Sequence, residues 1–350
     1  MQALLGVFFH SLGGFASGSF YIPFKRVRDW SWETYWIVGG FASWLVVPFL
    51  AAWITIPNFM SIITSTDSST LFYTFLMGLL WGIGGLTFGL SMRYLGMSLG
   101  MSIALGFCSA FGSLIPPIYR DIVGTGGNKT FTYMLQHTGG QIVLLGVAVC
   151  LIGIYICGRA GMMKEKELSP AQQQETIKEF NLGRGLAVAI TSGILSACFN
   201  FGIEAGKPMA GVAVATGCNP LFQNNVIFVV ILWGGLTTNF LWCMYLNAQN
   251  KTFGDYTNSK APLTNNYFFS MLAGTTWFFQ FFFYGMGESK LGNGASSWIL
   301  HMATIILTSN LWGMYFKEWQ GVSSQTFRTI LIGISTVILS VCIVGYGNSL

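Results

Sequence analysis

The stretch FYIPFKRVRDWSWETYW, residues 20–36, decides how the rest of the chain is read. It joins two long apolar runs. Within it stand three cations (Lys25, Arg26, Arg28), two carboxylates (Asp29, Glu33) and the aromatics Trp30, Trp32, Tyr35 and Trp36. Cations beside apolar segments fix the side of a membrane on which a turn lies, and Trp and Tyr favour the headgroup level. A carboxylate at the mouth of a span is expensive to desolvate and points to function. A plainer reading gives Glu33 the first turn of a helix capped by Ser31, where the dipole favours an anion. Both readings stay open at this point.

Composition agrees with a membrane protein. Hydrophobic residues make up 53% of the 350 and charged residues only 8%, against roughly 25% charged in a soluble domain. The net charge of +5 is too small for a nucleic-acid partner, and none is expected. The 44 glycines suit helices packed closely in lipid. Seven cysteines are scattered singly, with no CxxC or zinc spacing, and read as small buried residues. The N-terminus lacks a basic region and a clear cleavage site, so it is expected to be the first span.

A span needs about 20 apolar residues. That rule places ten helices near 3–24, 34–57, 70–92, 97–119, 139–158, 184–205, 221–246, 266–287, 295–316 and 327–347. Pro48, Pro116 and Pro117 fall within or at the end of spans, where they can kink them. Turns after odd-numbered helices hold 13 of the Lys and Arg residues; the even-numbered turns hold only Arg120, Lys129, Lys207 and Lys290. The odd turns are therefore expected in the cytoplasm and both termini outside.

The polar segment GMMKEKELSPAQQQETIKEFNL, 161–182, divides five spans from five. The expected organisation is 1–160 as a first five-helix repeat, 161–182 as a cytoplasmic linker and 183–350 as a second. Shifting the chain by 196 residues aligns Gly78 with Gly274 and Trp81 with Trp277; shifting by 179 aligns Gly14 with Gly193 and Ser17 with Ser196. An odd number of spans per half makes the halves inverted, and substrate sites lie near mid-membrane between such halves.

The opening stretch continues as FYIPFKRVRDWSWETYWIVGG. With WGIGGLTFGLSMRYLGMSLG (81–100), EFNLGRGL (179–186), AGKPM (205–209), WFFQFFFYGMG (277–287), SSWILHM (296–302) and KEW (317–319), it resembles the bacterial L-rhamnose–proton symporters. These form a sugar-transporting branch of the drug/metabolite transporter superfamily. The motifs fall in order along the whole chain. The resemblance implies ten membrane helices and proton-driven uptake of a 6-deoxyhexose across the inner membrane.

Polar side chains inside spans carry the chemistry, because hydrocarbon gives them no partner. Four stripes at helical spacing stand out: His10, Gly14, Ser17 and Tyr21; Ser192, Ser196, Asn200 and Glu204; Trp277, Gln280, Tyr284 and Glu288; Ser297, His301, Thr304 and Thr308. Each alone is more often a packing face than a ligand face. A sugar site needs amides and hydroxyls for its hydroxyl groups and an aromatic for its C–H face. Tyr21, Trp81, Asn200, Asn224, Asn225, Trp277, Gln280 and Tyr284 supply that menu. Proton coupling needs a titrating group, for which Glu33, Glu204, Glu288, His10 and His301 are the candidates. Glu33 ranks first, lying in the strongest motif; Lys207 at i+3 is expected to neutralise Glu204. No phosphate-binding glycine loop and no HExxH stands out, so no cofactor or metal is expected. The expected partners are a deoxysugar, protons and lipid. Two alternatives remain: the same fold carrying another sugar or small metabolite, and an integral-membrane lipid or glycan enzyme.

Overall fold

In a computed structural model, which describes residues 2–95, 97–124, 127–167, 182–315, 319 and 321–350, the chain is a bundle of helices with no strand among the described residues. Seven helical segments are long and apolar enough to cross a membrane: Gln2–Phe24, Trp32–Thr55, Ser68–Ser91, Thr138–Lys164, Gly183–Ala215, Pro220–Asn250 and Ser324–Gly347. The chain is a multi-pass membrane protein.

The elements in chain order are α1 (Gln2–Ser19), α2 (Tyr21–Phe24), α3 (Trp32–Phe41), a π turn (Ala42–Val46), α4 (Val47–Thr55), α5 (Phe59–Ser65), α6 (Ser68–Leu95), α7 (Met97–Val123), α8 (Phe131–Gln136), α9 (Thr138–Glu167), α10 (Leu182–Ala205), α11 (Lys207–Ala215), α12 (Asn225–Asn250), α13 (Leu263–Leu291), α14 (Gly294–Tyr315) and α15 (Ser324–Gly347). Each expected segment is helical, the fifth running on to Glu167, and seven of the ten meet the length and apolarity of a span among the described residues. The short helices α5, α8 and α11 fall where turns were expected. Each is too short to span, so the apolar-run rule does not register it. The 161–182 linker is helical through Glu167, and residues 168–181 lie outside the described residues.

Local chemistry sets several ends. Ser323 accepts from the Thr326 backbone N–H at the start of α15, and Thr130 from that of Tyr133 at the start of α8. Gly292 takes φ 66° after α13, the left-handed position where a helix stops at least cost. The π turn sits directly before Pro48, which has no N–H to donate to the helical ladder. The Val47 N–H reaches back to the Ala42 carbonyl instead.

Packing joins the two halves of the chain. Helix α1 lies against α13 and α14; α10 lies against α6 and α7; α9 pairs with α15 along its length. Two backbone approaches permit only glycine. A methyl group on Gly274 would overlap the carbonyl oxygen of Gly39, and one on Gly78 would overlap that of Ile231. With no hydrophobic drive between helices in lipid, such close van der Waals approach is what holds them.

The turn at 25–31 is tied to the second half. Asn266 accepts from the Arg28 N–H (3.0 Å) and donates to the Arg28 carbonyl (2.7 Å), and Asn265 donates to the Arg26 carbonyl (3.0 Å). Ser31 stands at the start of α3 in extended conformation, but its side chain makes no capping bond. Its N–H donates to Asp255 instead (2.8 Å). Trp30 and Trp36 are buried: Trp30 packs edge-on to Tyr267, and Trp36 stacks on Trp32.

Candidate functional site

Midway between the halves, α3 and the π turn meet α13 in an aromatic box. Phe20, Phe24, Trp36, Gly39, Gly40, Ser43 and Trp44 from the first half face Gly274 and Trp277 from the second. The Trp277 ring lies 3.9 Å from Phe20, 5.5 Å from Trp36 and 6.5 Å from Trp44, centroid to centroid. Trp81 stands behind Trp44 (6.3 Å) and carries the aromatic wall on to Phe199 and Phe281. The space inside the box is about 10 Å³ of room for the centre of a water molecule, enough for roughly one water. No charged side chain lines it.

Toward one end of the bundle, the buried stripes of α1, α13 and α14 converge. His10 and His301 pack edge to edge (6.0 Å between centroids), and Tyr284 lies 5.3 Å from each. The Tyr284 hydroxyl donates to Asn200 Oδ1 (3.1 Å), and Asn200 Nδ2 donates to the Gly112 carbonyl (2.7 Å). Thr304 Oγ1 donates to the His10 carbonyl (2.9 Å).

The same end is closed by ion pairs. Lys207 Nζ lies 2.8 Å from Glu288, and Asn224 Nδ2 donates to the same carboxylate oxygen (2.8 Å). Glu204 pairs with Arg120 of α7. The expectation that Lys207 neutralises Glu204 is therefore replaced by two other pairs. Helix α11 begins at Lys207 and carries it toward α13, while α7 brings Arg120 to Glu204.

About 33 Å of helix separate Asn266 from Glu288 on α13, so the Glu33 end is the opposite one. Glu33 is 4% exposed and has neutral partners: Asn250 Nδ2 (2.9 Å) and Thr252 Oγ1 (2.8 Å) both donate to Oε1. Thr34 and Asn247 extend this network to Asp255 and Tyr256.

The structure thus sorts the residues singled out in the sequence. Trp277 lines the box and Trp81 backs it. Gln280 follows Trp277 on α13, and its amide has no hydrogen-bond partner among the described residues. Tyr284 and Asn200 join the two histidines. Asn224 belongs to the Glu288 ion pair, and Asn225 donates to Thr55 Oγ1 (2.9 Å). Tyr21 is half exposed and packs beside Phe20. Ser43 and Trp44 were missed by sequence reading; the available signal was Pro48, whose effect on the preceding turn rotates both inward.

The profile of the family described as L-rhamnose-proton symport protein (RhaT) matches residues 1–349. An L-rhamnose-proton symporter of Pectobacterium carotovorum subsp. carotovorum is 38% identical over 349 residues, covering 98% of each chain. Those of Citrobacter koseri and Escherichia coli are each 37% identical over 348 residues, covering 98% of this chain and 97% of theirs. With a match of that length and identity, the chain belongs to the L-rhamnose-proton symport protein (RhaT) family.

Proposed function

We propose that the chain carries L-rhamnose into the bacterial cell together with a proton, across the inner membrane, by alternating access between two inverted five-helix halves. The whole-length family match is the observation that carries this reading. The family is one of transporters and not of enzymes. The uncharged aromatic box fits a neutral sugar better than an ionic metabolite.

The inverted halves, 1–160 and 183–350 joined by 161–182, are supported by matched contacts. Gly14 of α1 abuts Thr304 of α14, and Gly193 of α10 abuts Cys108 of α7. Gly13 abuts the Gln280 carbonyl, and Ser192 donates to the Gly84 carbonyl. Shifts of 179 and 196 residues turn each first contact into the second. The pair Gly274–Gly39 answers Gly78–Ile231 with shifts of 196 and 192 residues. Ten spans follow if α7, α13 and α14 also cross; at 27, 29 and 22 residues each is long enough. Their polar faces turn inward, which lowers their apolarity without exposing charge to lipid. The resemblance to the L-rhamnose–proton symporters is the basis for placing the chain in the drug/metabolite transporter superfamily. With the cation-rich turns in the cytoplasm, both termini lie in the periplasm and the Glu33 end faces inward.

Glu33 is the proposed proton carrier. Glu204 and Glu288 are each held by a cation, whereas the partners of Glu33 are an amide and a hydroxyl. The His10–His301 pair, one ring from each half, is the second candidate. Reconstituted protein should accumulate labelled L-rhamnose under an inwardly directed proton gradient and lose accumulation with a protonophore. Uptake that ignores the protonophore and needs sodium would refute the proton. Absence of rhamnose uptake would refute the substrate.

A further inference from the structure

We infer that the hydroxyl groups of the sugar are held by three unpaired polar atoms of residues that line the aromatic box: Ser43 Oγ, Trp44 Nε1 and Trp277 Nε1. The inference rests on the rhamnose reading and assigns its site. Each of the three atoms is buried and has no hydrogen-bond partner among the described residues. All three belong to residues lining one cavity. A buried polar atom without a partner is costly, so three on the residues around one space mark where a ligand supplies the partners. Trp36, on the same wall, shows the contrast, because its Nε1 donates to Asn239 Oδ1 at 3.0 Å.

The π turn makes this arrangement. It carries both Ser43 and Trp44, and two residues after its end stands Pro48, which has no N–H to donate. Turns of this type recur at functional sites because they free backbone acceptors and re-aim side chains. The residues of the box therefore offer two indole N–H donors and a hydroxyl that donates or accepts. Phe20 and Trp36 add apolar ring faces for the C–H face and methyl group of a 6-deoxyhexose. The space as it stands holds about one water, so a sugar requires its walls to part. One wall belongs to each half, with Phe20 against Trp277 as the contact that must open. Filling the site is thereby tied to movement of the halves.

The test is equilibrium binding of labelled L-rhamnose to the purified protein in detergent, with thermal unfolding measured beside it, for Ser43→Ala, Trp44→Phe and Trp277→Phe. Each variant should bind about 10-fold more weakly. The unfolding midpoint of Ser43→Ala should stay or rise, because only an unpaired buried atom has been removed, whereas the two Trp→Phe changes also leave a gap and lower theirs. Loss of both binding and stability in Ser43→Ala is the mark of a purely structural role, and that result overturns the assignment. Binding within about twofold of the unaltered protein in all three variants also overturns it. No binding by the unaltered protein overturns the rhamnose reading and the site with it. If a variant yields no folded protein, mono-deoxy analogues of rhamnose are bound to the unaltered protein: at least two should lose about 10-fold, and equal affinities across the series count against the site.

Discussion

The two ends of this bundle are closed by different chemistry. At one, Lys207 meets Glu288 and Arg120 meets Glu204, so each carboxylate has a cation. At the other, Glu33 is buried against Asn250 and Thr252. Parting an ion pair exposes two opposite charges to a poorly solvating environment. Parting the Glu33 network frees carboxylates held by amides and hydroxyls, Glu33 among them, which a proton can neutralise. The difference teaches that the ion-paired end is built to hold, and that the neutral end is where proton and movement can be linked.

The largest effect on stability is expected at the ion-paired end. Lys207→Met leaves Glu288 buried without its cation. Breaking a buried pair costs 3–5 kcal/mol, discounted here to roughly 2 kcal/mol because the Lys207 side chain is 29% exposed. Thermal unfolding should show that loss, and the double variant Lys207→Met/Glu288→Gln should recover at least half of it. A single variant as stable as the unaltered protein would remove the contrast between the ends.

A smaller effect separates stability from coupling. Asn224→Ala takes one donor from Glu288, and Thr252→Ala takes one from Glu33; each costs about 1 kcal/mol. Only Thr252→Ala should also reduce the steady-state accumulation of rhamnose several-fold. Equal accumulation in the two variants would mean that Glu33 has no special tie to the proton.

The smallest effect concerns Asp67, in the turn before α6. Hydrogen bonds from Ser69 and Thr70 hold its carboxyl down to about 2. A depressed value means that its contribution to stability is present above the usual carboxylate range and is lost as pH falls toward 2. The difference in unfolding midpoint between the unaltered protein and Asp67→Ala should be slight, constant from pH 8 to 5, and shrink below about pH 4. A difference that changes between pH 8 and 5 would point to another titrating group.

Much of this was legible in the sequence. The spans followed from apolar runs, and the polar stripes from helical spacing inside them. Trp81 and Trp277 were matched by the 196-residue shift before either had a structural setting. The misses share a cause, which is that local spacing does not choose partners across helices. Lys207 lies three residues from Glu204, yet the partner of Glu204 is Arg120, 84 residues earlier. The three cations nearest Glu33 in sequence give way to Asn250 and Thr252, more than 200 residues on. Ser43 and Trp44 escaped notice because the π turn before Pro48 shifts them off the regular helical face.

The most direct test of the account is the acidification of proteoliposomes on adding L-rhamnose, measured for the unaltered protein and for Glu33→Gln. The unaltered protein should acidify the interior as the sugar enters. Glu33→Gln should still exchange labelled for unlabelled rhamnose, but neither acidify the interior nor concentrate sugar against a gradient. Acidification by Glu33→Gln equal to that of the unaltered protein would contradict the account and pass the proton to the His10–His301 pair.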